Sequence, residues 1–389
     1  MKKSENPFYD LSLKKRHAKT KRFKLFTYSS LLFSLAFLLF FIVDIGIKAF
    51  PALNQAYVYV DVTYSEKSMR SPRVAIDKKY KRIVSRAYLR EIPKHIKQNP
   101  SLLYTTVKKW VLADDQVDQY LKGHYSKLKP KDKIFVDKLK KNKIIQLKFN
   151  KTFFSNGDSK VPEFAGILSS MIGTILTLIV TMLFAFPIGV MTAIYLEEFS
   201  KDNLKTQIIE ININNLAAIP SILFGLLGLA IFINSFGMPR SSALVGGLTL
   251  ALMTLPIIIV SSRAALRGVP NSVRQAGFAV GLTKVQVVTG HVLPLAFPGI
   301  MTGSIIGLAQ ALGETAPLII IGMIAFIPDS PTSILDAATV LPAQVFTWAG
   351  MPERAYIEKT AAAIMVLLSI LILLNSIAIY LRKKYEVKW

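Results

Sequence analysis

The sequence predicts an all-α polytopic membrane protein with six transmembrane helices and a small extracytoplasmic α/β insert. Two observations predict it. The 389 residues are 52% hydrophobic with a mean hydropathy of +0.41, too apolar for an ordinary soluble chain, and the apolar residues gather in runs of bilayer length. Between the first and second runs the composition reverses: residues 51–163 hold 25 Lys/Arg against 11 Asp/Glu and no stretch long enough to span.

The formal charge of +24 raises nucleic-acid binding, because excess Lys/Arg neutralises phosphates. Its distribution argues for no nucleic acid. Nine Lys/Arg lie between Lys2 and Lys24, ahead of the first run, and Arg382, Lys383, Lys384 and Lys388 follow the last one, as positive-inside flanking requires. The chain has no cysteine, which removes disulfides and thiolate metal sites. His17, His95, His124 and His291 lack the spacing of metal ligands, so no metal site is expected.

In chain order, residues 1–25 read as a cytoplasmic basic tail with little fixed structure, and residues 26–50 as the first transmembrane helix, apolar over 26–43. An uncleaved anchor is favoured over a signal peptide, since the apolar core is long and no small-x-small site follows. Residues 51–163 form the extracytoplasmic basic domain. Within it AYVYVDVTYS, 56–65, alternates as a strand, while SRAYLREIPKHI, 85–96, and SLLYTTVKKWVL, 101–112, read as helices. A net +14 is compatible with the outer side, because loops this long translocate largely regardless of charge. That surface suits either steering of an anion or acidic partner, or a solvated lysine-rich face.

Residues 164–385 carry five more apolar runs, at 165–191, 216–233, 244–262, 299–324 and 361–381. Six crossings leave both termini on the cytoplasmic side of the cell inner membrane and put residues 263–297 in the cytoplasm. There, two short helices are expected at 271–280 and 284–291, separated by Gly281-Leu282-Thr283. Gly281 can adopt a backbone conformation closed to other residues, and Thr283 can cap the second helix. A helix-turn-helix along the membrane surface is a docking device.

These residues resemble the coupling loop of permease subunits in ABC importers. That family's pattern is E-A-A, three residues, Gly, nine residues, then I-x-L-P. Here Gln275-Ala276-Gly277, Gly281 and His291-Val292-Leu293-Pro294 keep the spacing, while Gln, Gly and His replace Glu, the second Ala and Ile. The resemblance implies that Gln275, Ala276, Gly277, Gly281, Leu293 and Pro294 couple the chain to an ATPase. The chain has no G-x-x-x-x-G-K-[ST] loop, so it is read as a transport subunit and not an enzyme, with ATP and Mg on the partner ATPase and no cofactor of its own.

Gly313-Glu314-Thr315-Ala316-Pro317-Leu318 resembles the GETAPL signature of the phosphate ABC transporter permease, a resemblance covering residues 163–385. It implies a type I importer fold, a second homologous permease subunit, two ATP-binding cassette subunits and an extracytoplasmic phosphate-binding protein, all meeting in the lipid bilayer. It also implies a substrate path through Glu314 and Thr315. Family members place an arginine where Gln310 stands here, and a second at Val260; Arg263, one turn beyond, is either its displaced equivalent or a positive-inside anchor.

Physically, Glu314 is expected in the middle of the fifth span. A carboxylate there costs several kcal/mol unless it faces protein or water and finds a partner. Pro317 removes a backbone donor and leaves the Gly313 carbonyl without its helical partner, so the helix is expected to open locally beside the carboxylate. Glu314 therefore either touches substrate or pairs with a base to lock two helices. Other readings keep the architecture and change the anion to molybdate, tungstate or sulfate, or make the chain a channel or a receptor-like scaffold.

Overall fold

The computed structural model describes residues 13–324 and 326–385. The expectations for residues 1–12 and for Lys388 lie outside them. Helix α1, Leu13–Ala49, is 37 residues long and contains the whole first apolar run. It also corrects the reading of the basic tail: from Leu13 onward the tail is helical, because no Gly or Pro interrupts residues 13–25 and Lys and Arg are good helix formers. Its apolar stretch is exposed on every side, as in Phe33, Phe37 and Phe40, which suits lipid or partner helices.

The insert follows as β1, Asn54–Thr63; α2, Glu66–Arg70; α3, Arg86–Gln98; β2, Thr106–Leu112; α4, Asp115–Leu121; α5, Pro130–Lys141; β3, Ile145–Phe149; and α6, Lys151–Ser155. The strands make one antiparallel sheet in the order β2-β1-β3. Period-two alternation buries Ala56, Val58, Val60 and Val62 of β1 with Leu89, Ile92 and Ile96 of α3 and Val136 and Leu139 of α5. The other face shows Tyr59, Asp61 and Thr63 to solvent. Residues 101–112, expected as a helix, are corrected to a turn and strand β2. Thr106, Val107, Trp110 and Val111 are β-formers, and pairing of Tyr59 with Trp110 and Asp61 with Lys108 completes the sheet.

The membrane body comprises α7, Leu168–Ile194, which ends in a π-turn at Tyr195–Phe199; α8, Leu204–Ala217; α9, Ser221–Gly228, extended by a π-helix at Leu229–Ser235; and α10, Ala243–Arg267. Then come α11, Asn271–Ala279; α12, Lys284–Val287, joined through a π-turn at Val288–Val292 to α13, Leu293–Gly313; α14, Ala316–Ile320; α15, Leu341–Ala349; and α16, Arg354–Tyr385. Among the described residues five helices are long and apolar enough to cross a membrane, and the pair α8–α9 makes a sixth span if taken as one bent element.

That pair corrects the simple span expected at 216–233: the chain turns by 102° between Ala217 and Ser221. Pro220, at the N-cap of α9, cannot donate a helical hydrogen bond and disfavours helix at Ile219. The fifth span is corrected as well, to residues 284–313 instead of 299–324.

Helices α7 and α10 pack through small residues. A Cβ on Gly247 would fall 2.5 Å from the Val180 side chain, and one on Gly189 would fall 2.7 Å from Ile258. Thr181 Oγ1 crosses the same seam to the Gly247 carbonyl at 3.1 Å. Where hydrocarbon surrounds both helices, such close backbone approach supplies the attraction that water supplies elsewhere.

The insert is bonded to the membrane body by a buried polar seam. Lys122, at the C-cap of α4, contacts Asp118 at 2.7 Å and Glu358 of α16 at 2.9 Å, and His124 Nδ1 lies 2.8 Å from Glu358. Lys359 donates to the Ala165 carbonyl at 2.6 Å, Ser85 donates to Glu163 at 2.6 Å, and Gln55 donates to the Glu163 carbonyl at 2.8 Å. Burial pushes Asp115, beside this cluster and close to Glu163 and Asp118, up to about 7. Farther out, Trp348 of α15 donates to Asp158 at 2.8 Å, and burial pushes that carboxyl up to about 6. The insert is thus part of the body that holds the heads of α15 and α16.

Candidate functional site

The loop at 263–297 forms as local chemistry dictates. Gly281 takes φ +83°, which L side chains rarely adopt, and turns the chain between α11 and α12. Thr283 then caps α12 in a reciprocal box: its hydroxyl accepts from the Gln286 N–H, and its own N–H donates to Gln286 Oε1 at 2.8 Å. A Cβ on Gly277 would sit 2.7 Å from Val287 Cγ2, which is why a smaller residue stands where the importer pattern has alanine. Around the turn, Gln275, Ala276, Phe278, Val280 and Val285 are exposed, an apolar rim on a polar surface.

Two of the predicted coupling residues lie elsewhere. Leu293 is half-buried and packs with the core cluster that contains Val292 and Ile300, and Pro294 stands in the first turn of α13. The helix expected at 284–291 does not end there either, since α12, the π-turn and α13 run on as a single span. A movement of the turn is therefore delivered directly to a membrane helix.

Behind the turn lies an ion-pair joint that the sequence reading missed. The π-turn at Tyr195–Phe199 sets Glu197 and Glu198 side by side. Glu197 meets Arg267 at 2.8 Å and Arg263 at 3.4 Å, and Arg263 also meets Glu210 of α8 at 2.5 Å. Glu198 takes Arg274 of α11 at 2.6 Å, and the same guanidinium donates to the Val269 and Leu266 carbonyls at 2.8 and 3.0 Å. One arginine thereby ties the first docking helix to the ends of α7 and α10. Charge alone gave a hint: Arg263, Arg267 and Arg274 lie in the stretch read as cytoplasmic, and Glu197, Glu198 and Glu210 lie between the second and third apolar runs.

The signature segment is a break between two helices. Helix α13 stops at Gly313; Glu314 is extended (φ −79°, ψ 121°), and α14 begins at Ala316 with Pro317 in its first turn. The expectation of Glu314 in mid-helix is corrected accordingly: it caps a helix end, half-buried, and among the described residues no hydrogen bond or ion pair reaches its carboxylate. Thr315 is half-buried, Gln310 one turn earlier is exposed, and a Cβ on Gly313 would meet open space. Helix α9 packs against α14 just beyond this break, since a Cβ on Gly225 would fall 2.8 Å from Pro317. Arg263 is not brought to it. Contact of Gly303 with Ser261 and of Gly299 with Ala265 sets Arg263 level with Met301, about 20 Å along the helix from Glu314.

With this geometry in view, comparison with known proteins identifies the family. Residues 185–387 match the model of the binding-protein-dependent transport system inner membrane component. The chain belongs to this family. The match contains the π-turn joint, the docking turn and the Glu314 break. The N-terminal part matches, over residues 10–78 and 70–131, a family described as a domain of unknown function (DUF3333).

Among its relatives, the phosphate transport system permease protein PstA 1 of Mycobacterium tuberculosis (strain ATCC 25618 / H37Rv) is 29% identical over 225 residues, 57% of this chain and 71% of that protein. The phosphate transport system permease protein PstA 2 of Mycobacterium bovis is 33% identical over 211 residues, 54% of this chain and 69% of that protein. A solved structure of the MetNI methionine ABC transporter, inward facing, aligns with a TM-score of 0.44 at 18% identity, covering 55% of this chain and 95% of that one.

Proposed function

We propose that this chain is a membrane permease subunit of an ATP-driven importer of inorganic phosphate. The observation that supports it most is the family match to phosphate permeases over the segment where Glu314 sits unpaired at a helix break. The chain forms the path with a second permease, receives phosphate from an extracytoplasmic binding protein, and meets two ATPase subunits at the turn around Gly281, with both termini cytoplasmic. ATP and Mg belong to those ATPases. Their closure pushes α11 and α12; α13 follows because it is continuous with α12, and α7 and α10 follow because Arg274 holds them.

At the break, extended backbone and an unpaired carboxylate are tolerated where they line a polar cavity. Phosphate near neutral pH retains a proton and donates a hydrogen bond to Glu314, whereas sulfate has no proton to offer and meets repulsion. Thr315 lies beside it to donate or accept, and cationic partners come from the second permease, since Gln310 carries no charge and Arg263 is committed elsewhere.

ATP-driven uptake of radiolabelled phosphate into vesicles holding the chain and its partners tests this. Glu314→Gln at equal expression is expected to lower uptake by roughly 10-fold or more, the scale of one lost charged hydrogen bond. Unchanged uptake would make Glu314 structural, and sulfate uptake equal to phosphate uptake by the wild type would end the proton-donor account.

A further inference from the structure

The underside of the insert carries an aromatic cluster that the transport reading leaves without a role. Phe50, Phe149 and Phe154 are 65%, 57% and 38% exposed. The backbone gathers them. Phe149 pairs with Asn54 across the sheet, and its ring stacks on Phe154 at 5.8 Å and 7°. Asn150 donates its backbone N–H to the Leu53 carbonyl at 2.8 Å and its side-chain amide to Ala52 at 2.9 Å, drawing the turn Phe50–Leu53 alongside.

The same segment is fixed to the mouth of a membrane span. Ile167, the N-cap of α7, donates its N–H to the Phe153 carbonyl at 2.8 Å. Farther along α7, Ile175, Ile179 and Leu183 are exposed, as in a helix meeting hydrocarbon. The phenyl rings therefore lie at the level where the chain passes from water into lipid. One cation accompanies them, Lys151, exposed at the start of α6.

We propose that Phe50, Phe149 and Phe154 seat the insert in the outer-leaflet interface, with Lys151 against anionic phospholipid headgroups. Aromatic rings at headgroup depth with a neighbouring lysine are the composition of an interfacial anchor. Continuity with the apolar surface of α7 selects lipid as the occupant. The insert is then held twice, by its buried seam on α16 and by its contact with the bilayer, and its remaining basic surface keeps a fixed height above the membrane.

The absence of native cysteine makes single-cysteine spin labelling specific. The assembled complex, carrying Phe149→Cys, Phe154→Cys or the control Tyr104→Cys, is placed in nanodiscs of phosphatidylcholine with or without phosphatidylglycerol. Tyr104 is 73% exposed and lies beside Tyr64, at the far end of β1 from Asn54, about 30 Å away. Labels at 149 and 154 are expected to collide more with oxygen than with a water-soluble nickel chelate, and the label at 104 the reverse. Phosphatidylglycerol should move the label at 149 deeper, and Lys151→Gln should remove that shift.

Equal nickel access at 149, 154 and 104 would overturn the proposal. So would dipolar broadening between labels at 149, which would give the cluster to a second copy of the chain. Deep labels without any response to phosphatidylglycerol or to Lys151→Gln would overturn the headgroup assignment.

Discussion

The inner joint and the outer seam both fasten membrane helices with charge, in opposite ways. At the inner joint Arg263, Arg267 and Arg274 face Glu197, Glu198 and Glu210, three against three, and several of these side chains stay in reach of water. In the outer seam Asp115, Asp118, Glu163 and Glu358 outnumber Lys122 and Lys359, and all six are buried or nearly so. A guanidinium in reach of water can exchange carboxylates because water replaces a partner that leaves, whereas in a dry cluster a partner that leaves strands a buried charge. The joint behind the Gly281 turn can therefore exchange its partners, while the seam that bears the insert is built to stay put.

The largest expected effect lies in the seam. Glu358→Ala removes a partner from Lys122, His124 and Gln119 at once, and thermal unfolding of the purified complex is expected to show a loss of about 3–5 kcal/mol. Arg274→Gln strands Glu198, whose side chain is 6% exposed, and is expected to lose about 2–3 kcal/mol while ATP hydrolysis continues with reduced uptake. A greater loss for Arg274→Gln than for Glu358→Ala would break the contrast.

A pH profile sharpens it. Asp115 titrates near 7 in the folded protein against 3.8 as its ordinary value, and Asp158 near 6. The folded state therefore binds more protons across that window, and stability falls as pH rises from about 4 to about 7, on the order of 1–3 kcal/mol. Asp115→Asn should flatten most of that slope, and a slope unchanged in the variant would remove Asp115 from the account. The smallest effect is expected at the docking turn. Gly277→Ala pushes against Val287 and should cost about 1 kcal/mol in unfolding measurements, relieved when Val287→Ala is added.

Much of this molecule was legible in its sequence because membrane spans, turns and caps are local. The Gly281 turn, the Thr283 cap and the strand at β1 follow from adjacent residues. The end of α13 was not legible, because residues 316–324 remain as apolar as those before them, and hydropathy does not register a backbone that stops at Gly313. Gly313 and Pro317 marked the irregularity without fixing its extent. Strand β2 was missed because its partner lies some fifty residues earlier. The seam and the joint were hidden for the same reason at larger scale: Lys122 and Glu358 are 236 residues apart, and Arg274 and Glu198 are 76 apart.

The π-turns bear on how this chain tolerates a change in length. Tyr195–Phe199, Leu229–Ser235 and Val288–Val292 each hold more residues than α-helical winding needs. Deleting one residue elsewhere in these helices would swing every later side chain by about 100° around the axis, taking buried faces to the outside. Deleting one at Val288–Val292, which lies between α12 and α13, lets the winding tighten while both flanking faces keep their aim. Natural variants one residue shorter are expected at Val288–Val292 first, because only there does a long helix follow the π-turn.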